Sequence, residues 1–192
     1  MWWKQPDGTL GLDGIATTAL PLYGVHHLKE WKDESSLEYP TLIVTEGEKA
    51  AKALWTRGVP AVGTVCGAAA IPTASVLSDL VGFELFLWPD EAQIGYWHMH
   101  LIGALLTRLG VLPGVITWEK APARGDAADY PAGDSIEDLL NNAQLWGGEC
   151  QDHAALAAEI IKEWEQKGTP EEIAAAHPAA AWYEKMGNDL PL

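Results

Sequence analysis

Four acidic residues lie in the turns and loops that follow apolar, strand-like runs of the sequence. They are Glu46 after residues 42–44, Asp90 after residues 84–88, and Asp126 with Asp129 after residues 115–118. A cluster of carboxylates facing one cleft is costly unless a divalent cation neutralises its charge. Oxygen ligands of this kind select Mg²⁺ or Mn²⁺ rather than zinc. The four acids therefore predict a divalent-metal site, provided that the fold brings them together.

The elements around these acids predict how they meet. Short continuous apolar runs at 42–44, 60–65, 84–88 and 115–118 are typical of buried parallel strands. Helical patterns separate the runs: residues 50–57, a short helix after Thr73, and an amphipathic stripe over 94–109. This alternation predicts an α/β fold with a four-stranded parallel sheet and helical cover. The carboxyl ends of parallel strands share one edge, where ligands bind in open α/β sheets, so the acids should line one cleft.

The flanking segments carry a different pattern. Residues 1–38 alternate turn signals with short apolar pieces and predict an irregular lead-in rather than a helix, with 29–38 as a polar connection into the first strand. Residues 133–192 are predicted to be helical, with Ser135 and Asp138 spaced as a capping box and further helical patterns at 156–164 and after Thr169. The predicted organisation is a lead-in of residues 1–38, an α/β domain of residues 39–132 and a helical extension of residues 133–192.

Other polar residues receive weaker assignments. His98 lies on the packed stripe of the amphipathic pattern and is predicted to be a satisfied core histidine. The small-residue loop 66–72 fits either a tight strand-to-helix connection or a close approach to phosphate. The basic residues expected near the cleft are Lys49, Lys52, Arg57 and Arg124. They could meet phosphates, but Lys52 and Arg57 are more simply interpreted as a solvated helix face.

Composition narrows the class of protein. The chain has 192 residues, 48% of them hydrophobic and 20% charged, and no apolar run long enough to span a membrane, so we expect a soluble, cytoplasmic globular protein. Two cysteines are too few for a thiolate zinc site. The net charge of −15 argues against a freestanding nucleic-acid binder, so contact with nucleic acid must be local, metal-bridged or supplied by a partner. Ten tryptophans suggest aromatic surfaces used by neighbouring proteins.

Three of these segments together resemble a known family. Val44-Thr-Glu-Gly-Glu-Lys-Ala-Ala51, then Leu87-Trp-Pro-Asp-Glu-Ala-Gln-Ile-Gly95, then Gly125-Asp-Ala-Ala-Asp129 look like the Toprim domain of primases, topoisomerases and some nucleases. The resemblance covers roughly residues 39–132 and implies a Rossmann-like sheet with helices on both faces. The lead-in also resembles the segment before Toprim in phage and plasmid primases and primase-helicases, which favours a primase within the family.

The resemblance implies roles for individual residues. Glu46 matches the family's glutamate, credited with metal binding or general acid/base work. Lys49 is assigned to the catalytic set with it on a separate ground, as a basic residue expected near the cleft that could meet phosphates. Asp90 matches the first aspartate of an Asp-x-Asp pair, and Asp126 falls where the third acidic motif supplies another ligand. With Asp129 from the same loop, these acids and Glu46 would hold Mg²⁺ or Mn²⁺. The sequence departs from the family at Ala92, where the pair has its second aspartate, and at Ala50, where many primases carry an acid.

Two hypotheses of different kinds follow. The first is a primase-type enzyme that uses Mg²⁺, nucleoside triphosphates and a single-stranded DNA template, with a Toprim nuclease as its near neighbour. The second is a catalytically degenerate Toprim module that docks on a replication partner such as a helicase or polymerase. Ala92 and the charge of −15 favour docking, whereas Glu46, Asp90 and Asp126 favour chemistry. No Walker A motif or four-cysteine zinc ribbon occurs in the sequence.

Overall fold

A computed structural model describes residues 11–147, apart from residues 13 and 69. Its centre is a five-stranded sheet in the order β2-β1-β3-β4-β5. The strands are β1 (Thr41–Thr45), β2 (Ala61–Gly63), β3 (Glu84–Trp88), β4 (Gly114–Val115) and β5 (Gln144–Leu145). β1 runs parallel to β2 and β3, and β4 runs parallel to β3. The predicted four-stranded parallel arrangement is therefore confirmed for β1 to β4.

The fifth strand corrects the prediction that everything after residue 132 is helical. β5 pairs antiparallel with β4, so that Gly114 lies opposite Leu145. A strand of two residues is too short to show a period of two. Backbone bonds to the free edge of β4, rather than side-chain pattern, place this segment in the sheet.

Five helices surround the sheet in the described part of the chain. They are α1 (Leu28–Glu34), α2 (Glu48–Trp55), α3 (Ala74–Leu77), α4 (Gln93–Arg108) and α5 (Ile136–Asn141), with 3₁₀ turns at Thr17–Ala19, Val25–His27 and Ser78–Leu80. The predicted caps are present, because the Thr73 side chain accepts from the Val76 amide and the Ser135 side chain from the Asp138 amide. Strong periodicity and capping residues thus predicted α2 to α5 well.

Alternation along the strands divides the core between the two faces of the sheet. Leu42 and Val44 of β1 pack with residues of α1, α3 and α4. Ile43, which points the other way, packs with residues of α2 and α5. β1 and β3 are buried on both faces because helices cover both, which explains their continuous apolar runs.

α1 corrects the prediction that residues 29–38 form a polar connection. The helix has seven residues and places Leu28 and Trp31 one turn apart against the core. Lys29 pairs with Asp33 on the exposed side, and His27 Nδ1 lies 3.1 Å from Glu30 Oε2. Two apolar positions are too few to reveal a helical period in a sequence, so packing and local ion pairs decide this helix.

The lead-in joins the sheet rather than lying apart from it. The Tyr23 amide donates to the Gly63 carbonyl oxygen at 2.8 Å and the Gly63 amide to the Tyr23 carbonyl oxygen at 3.0 Å, which covers the outer edge of β2. Leu22 and Leu28 share one core cluster with the sheet, and Ile136 shares the other. The boundaries at residues 38 and 132 stay predictions, but residues on both sides of each contribute to common cores.

Two further predictions fall on other parts of the chain. The helical patterns at 156–164 and after Thr169 lie outside the described residues, as do the first ten residues of the lead-in. Within the described residues, no helix is long and apolar enough to cross a membrane.

Candidate active site: an acidic cleft at the carboxyl edge of the sheet

Glu46 is held in a tight turn between β1 and α2. Gly47 has a φ of 100°, a conformation that favours glycine, and α2 begins directly after it. The Thr45 hydroxyl donates to the Val62 carbonyl oxygen at 3.2 Å, which ties the end of β1 to β2. A Cβ atom at Gly63 would collide with the Gly47 carbonyl. The turn that carries Glu46 therefore rests directly on the backbone of β2.

Asp90 meets Glu46 where the chain leaves β3. The Asp90 amide donates to Glu46 Oε1 at 3.2 Å, and the Ala92 amide donates to the Asp90 carbonyl oxygen at 2.7 Å. The second bond folds the chain back over one residue. A Cβ atom at Gly95, in the first turn of α4, would lie 2.6 Å from Glu46 Oε1 and 2.6 Å from the Asp90 carbonyl oxygen. Gly95 thus leaves the space that Glu46 occupies.

Asp126 and Asp129 lie in the same cleft, where both contact Lys49. Lys49 Nζ lies 3.2 Å from Asp126 Oδ2 and 3.7 Å from Asp129 Oδ1. The loop that carries both acids is fixed to the Asp90 turn, because the Arg124 amide donates to the Glu91 carbonyl oxygen and the Glu91 amide to the Gly125 carbonyl oxygen, each at 2.8 Å. The structure therefore brings together the four predicted acids and Lys49 at one edge of the sheet.

Burial and neighbouring charges raise the pKa values of Glu46 and Asp90. Burial, then the nearby Asp90 charge, raises the pKa of Glu46 to about 7, against a smaller opposing effect of the hydrogen bond from the Asp90 amide. Burial, then the charge of Asp126, raises the pKa of Asp90 to about 6, while Lys49 acts in the opposite direction. Near neutral pH the pair formed by Glu46 and Asp90 is close to binding a proton. A metal cation bound in place of that proton would relieve the same repulsion between the two carboxylates.

The donor chemistry fits a hard divalent cation. Glu46, Asp90, Asp126 and Asp129 offer only carboxylate oxygens, and their crowding is the condition that such an ion relieves. Within residues 11–147, however, no three His, Cys, Asp or Glu side chains stand in metal-binding geometry. Lys49 pairs with two of the four acids, Asp126 and Asp129. The roles of the four acids as metal ligands stay predictions.

The two departures from the family's pattern have different structural settings. Ala50 is 1% exposed and packs in the apolar core under α2, where a carboxylate would be buried among hydrocarbon. Ala92 is the N-cap residue of α4, with extended backbone and no side-chain cap. Glu91 accepts a hydrogen bond from the Tyr96 hydroxyl at 2.6 Å, so it does not replace the missing acid.

Among the basic residues, Arg57 makes more contacts within the protein than the sequence predicts. Arg57 donates to the carbonyl oxygens of Tyr130, Pro131 and Asp134, and its guanidinium carbon lies 5.2 Å from the centre of the Tyr130 ring. The interpretation of Arg57 as part of a solvated face is therefore wrong, because this side chain ties α2 to the segment beyond the acidic loop. Lys52 remains exposed, with Nζ 5.3 Å from the Tyr23 ring centre. Arg124 is exposed beside the cleft.

Sequence reasoning missed the glycines that position the acids. These are Gly63, inside β2, and Gly95, in the first turn of α4. A glycine inside a strand often marks a close backbone approach, so Gly63 carried a usable signal. His98 is the satisfied core histidine that was predicted, with Nδ1 2.7 Å from the Ala68 carbonyl oxygen and Nε2 3.1 Å from Thr64 Oγ1.

Solved primase structures have a similar fold. A DnaG primase catalytic domain bound to single-stranded DNA matches 97% of this chain over 61% of its own, with a TM-score of 0.54 and 14% identity. A DNA primase domain from Pseudomonas aeruginosa matches 87% of this chain over 49% of its own, with a TM-score of 0.52 and 15% identity. The Aquifex aeolicus primase, comprising zinc-binding and RNA polymerase domains, matches 81% over 34% of its own, with a TM-score of 0.51 and 18% identity.

These comparisons establish a likeness of fold. This chain spans between about a third and three fifths of those solved chains. Neither a protein-family model nor a curated protein sequence matches it. The α/β architecture, with its mostly parallel sheet, is therefore that of primase catalytic cores.

Proposed function

We propose that the chain carries a Toprim domain of primase type, which transfers nucleotides to a growing nucleic-acid strand on a single-stranded DNA template. The observation that carries the proposal is the meeting of Glu46 and Asp90 at the first turn of α4, with Asp126 and Lys49 alongside. The resemblance of the three acidic segments to Toprim motifs and the shared fold support the same family. Fold alone assigns no activity, so the proposal depends on the residues of the site.

The chemistry follows from the state of each side chain. A Glu46 carboxylate whose pKa is about 7 can accept a proton from an attacking hydroxyl group near neutral pH. Lys49 is 69% exposed on one side of the cleft and can contact a substrate phosphate that displaces its carboxylate partners. Glu46, Asp90 and Asp126 would hold Mg²⁺ or Mn²⁺, which neutralises phosphate charge and activates the attacking oxygen when bound.

A second candidate function rests on Ala92. The position where the family carries its second aspartate is a bare N-cap, and the described residues form no three-ligand site. A chain that has lost this ligand could persist as a module that docks on a helicase or polymerase without catalysis. The two functions share the fold and differ in whether the cleft binds a metal ion and reacts.

Strand synthesis tests the first function directly. We expect the wild type to extend or start a strand on single-stranded DNA with nucleoside triphosphates and Mg²⁺. Glu46→Gln should lower that rate at least about 100-fold, because an amide cannot accept the proton. Glu48→Gln, the same change two residues away, is the matched control and should keep the wild-type rate. Cleavage without synthesis would indicate the nuclease, and neither reaction with no metal binding would indicate the docking module.

Substitution of Ala92 separates a weakened enzyme from a docking module. Asp and Asn are equally good N-cap residues, so Ala92→Asp and Ala92→Asn should each stabilise α4 by about 1 kcal/mol. Only the aspartate adds a ligand, so Mg²⁺ should raise the melting temperature and activity of Ala92→Asp beyond those of Ala92→Asn. Equal responses of the two variants to Mg²⁺ would show that residue 92 adds no ligand to the cleft.

A further inference from the structure

We propose that His98 is a positioning residue for the acidic cleft: it fastens the loop after β2 to α4 and thereby sets the spacing between the Glu46 turn and the first turn of α4. The inference rests on the proposed function for its catalytic consequence, although its structural part stands without it. His98 itself touches none of the acids, and it acts through Thr64.

The surroundings of His98 define the position of its ring proton. The Ala68 carbonyl oxygen can only accept, so the Nδ1 atom 2.7 Å away must carry the hydrogen. In the neutral ring Nε2 is then an acceptor, and the Thr64 hydroxyl 3.1 Å away donates to it. Burial lowers the pKa of His98 to about 4, so the neutral ring persists through the neutral pH range. The two hydrogen bonds therefore run in one direction, since Thr64 donates to His98 and His98 donates to Ala68.

The residues joined by these hydrogen bonds adjoin the Glu46 site on two sides. The Thr64 amide donates to the Thr45 carbonyl oxygen at 2.9 Å, and Thr45 directly precedes Glu46. His98 lies one helical turn beyond Gly95, the residue whose missing side chain makes room for Glu46 Oε1. His98 thus joins the two elements between which the Glu46 carboxylate is seated.

The conformation of the loop supports a positioning role. Cys66 has a φ of 67° and Gly67 a φ of 79°, so two successive residues are left-handed, one of them with a side chain. A left-handed residue other than glycine costs about 1 kcal/mol or more and persists only where its surroundings impose it. The two hydrogen bonds that His98 makes, one accepted from Thr64 and one donated to Ala68, hold residues 64 and 68 on either side of these two left-handed residues.

Paired substitutions of Thr64 test the proposal. Thr64→Val keeps the shape of the side chain and removes the hydroxyl, whereas Thr64→Ser keeps the hydroxyl and removes the methyl group. The direct reporter is the Asp90 amide, whose hydrogen bond to Glu46 Oε1 depends on the seating of the carboxylate. The Ile116 amide, bonded to the Leu87 carbonyl oxygen within the sheet, serves as the internal reference.

We expect Thr64→Val to speed hydrogen exchange at Asp90 about tenfold relative to Ile116, since the bond that seats Glu46 opens more often. Thr64→Ser should keep the wild-type ratio. Imidazole ¹⁵N shifts should show a hydrogen on Nδ1 and a bare Nε2 in the wild type. In strand synthesis, Thr64→Val should lower kcat about tenfold or more with little change in KM, because misplacement affects reaction more than binding.

The outcomes separate the two proposals. An unchanged Asp90 to Ile116 exchange ratio in Thr64→Val, or an imidazole with its hydrogen on Nε2, would overturn the positioning role even if the wild type makes strands. A changed ratio in Thr64→Val alone, in a protein that makes no strands, would support the positioning role and count against the proposed function.

Discussion

In the proposed function, Glu46 is the residue on which the chemistry of this cleft depends. Its carboxylate is partly buried, accepts one backbone hydrogen bond and faces a second carboxylate at Asp90. Burial and the neighbouring charge both disfavour its ionised form, which is how enzymes bring a general base close to neutral pH. The same arrangement places two carboxylates that repel each other side by side in the folded protein.

The pH dependence of stability follows from the raised pKa of Glu46. The folded chain keeps this proton up to about pH 7, whereas the unfolded chain loses it near its ordinary value of 4.5. Between these values the folded state binds more protons, so this residue makes the free energy of unfolding fall as the pH rises through the window. Glu46→Gln removes the effect and should stabilise the protein above pH 7 by up to about 3 kcal/mol, since one pKa unit corresponds to about 1.4 kcal/mol.

Urea unfolding of the wild type and Glu46→Gln at pH 5 and pH 8 measures this difference. The variant should gain stability over the wild type at pH 8 and little at pH 5. Glu48→Gln is again the control and should follow the wild type at both values. A constant offset between Glu46→Gln and the wild type across the range would show that Glu46 titrates normally.

At the scale of elements, the sequence predicted what long patterns determine. β1, β3 and α4 are each specified by several consecutive positions, and the structure has them at or near the predicted bounds. α1 and β5 were missed because seven and two residues carry too little periodicity. The convergence of the acids was predictable, because parallel strands place their carboxyl ends together.

Side-chain partners could not be predicted in the same way. The bond between Thr64 and His98 joins residues 34 positions apart, and the contact of Lys49 with Asp126 joins residues 77 apart. The contacts of Arg57 with the 130–134 segment likewise depend on how α2 lies against a distant loop. No local pattern encodes such pairs, because they follow from the packed geometry of whole elements.

The start of α4 yields a prediction about Gly95. Alanine normally favours a helix over glycine by up to about 1 kcal/mol. Here the added Cβ atom would meet Glu46 Oε1 and the Asp90 carbonyl oxygen at 2.6 Å, so Gly95→Ala should instead lower the free energy of unfolding, by about 1–3 kcal/mol. Because Glu46 must move, strand synthesis should fall more than stability alone explains.

Thermal unfolding and strand synthesis check the Gly95 prediction together. Gly133→Ala is the matched control, since a Cβ atom there meets nothing within 4 Å. It should leave both properties unchanged. A Gly95→Ala protein as stable and active as the wild type would show that Glu46 is not seated against this turn.

At the scale of the whole molecule, the acidic cleft belongs to a chain with a net charge of −15. Self-repulsion of this size destabilises the compact state, and any salt reduces it by screening. A rise in melting temperature with Mg²⁺ therefore does not by itself reveal a site. The response to Mg²⁺ must be compared with the response to a monovalent salt at the same ionic strength.

We expect MgCl₂ to raise the melting temperature more than NaCl at matched ionic strength, because bound Mg²⁺ also relieves the repulsion between Glu46 and Asp90. The excess should disappear in the Glu46→Gln, Asp90→Asn double variant, which keeps the shape of both side chains and removes both charges. Glu137→Gln with Asp138→Asn, at two exposed positions on α5, removes the same charge and should keep the excess. Equal shifts with the two salts in the wild type would contradict a divalent-metal site and leave the docking function favoured. Removal of Mg²⁺ with a chelator should return the melting temperature to its value in NaCl, since the ion binds the folded state.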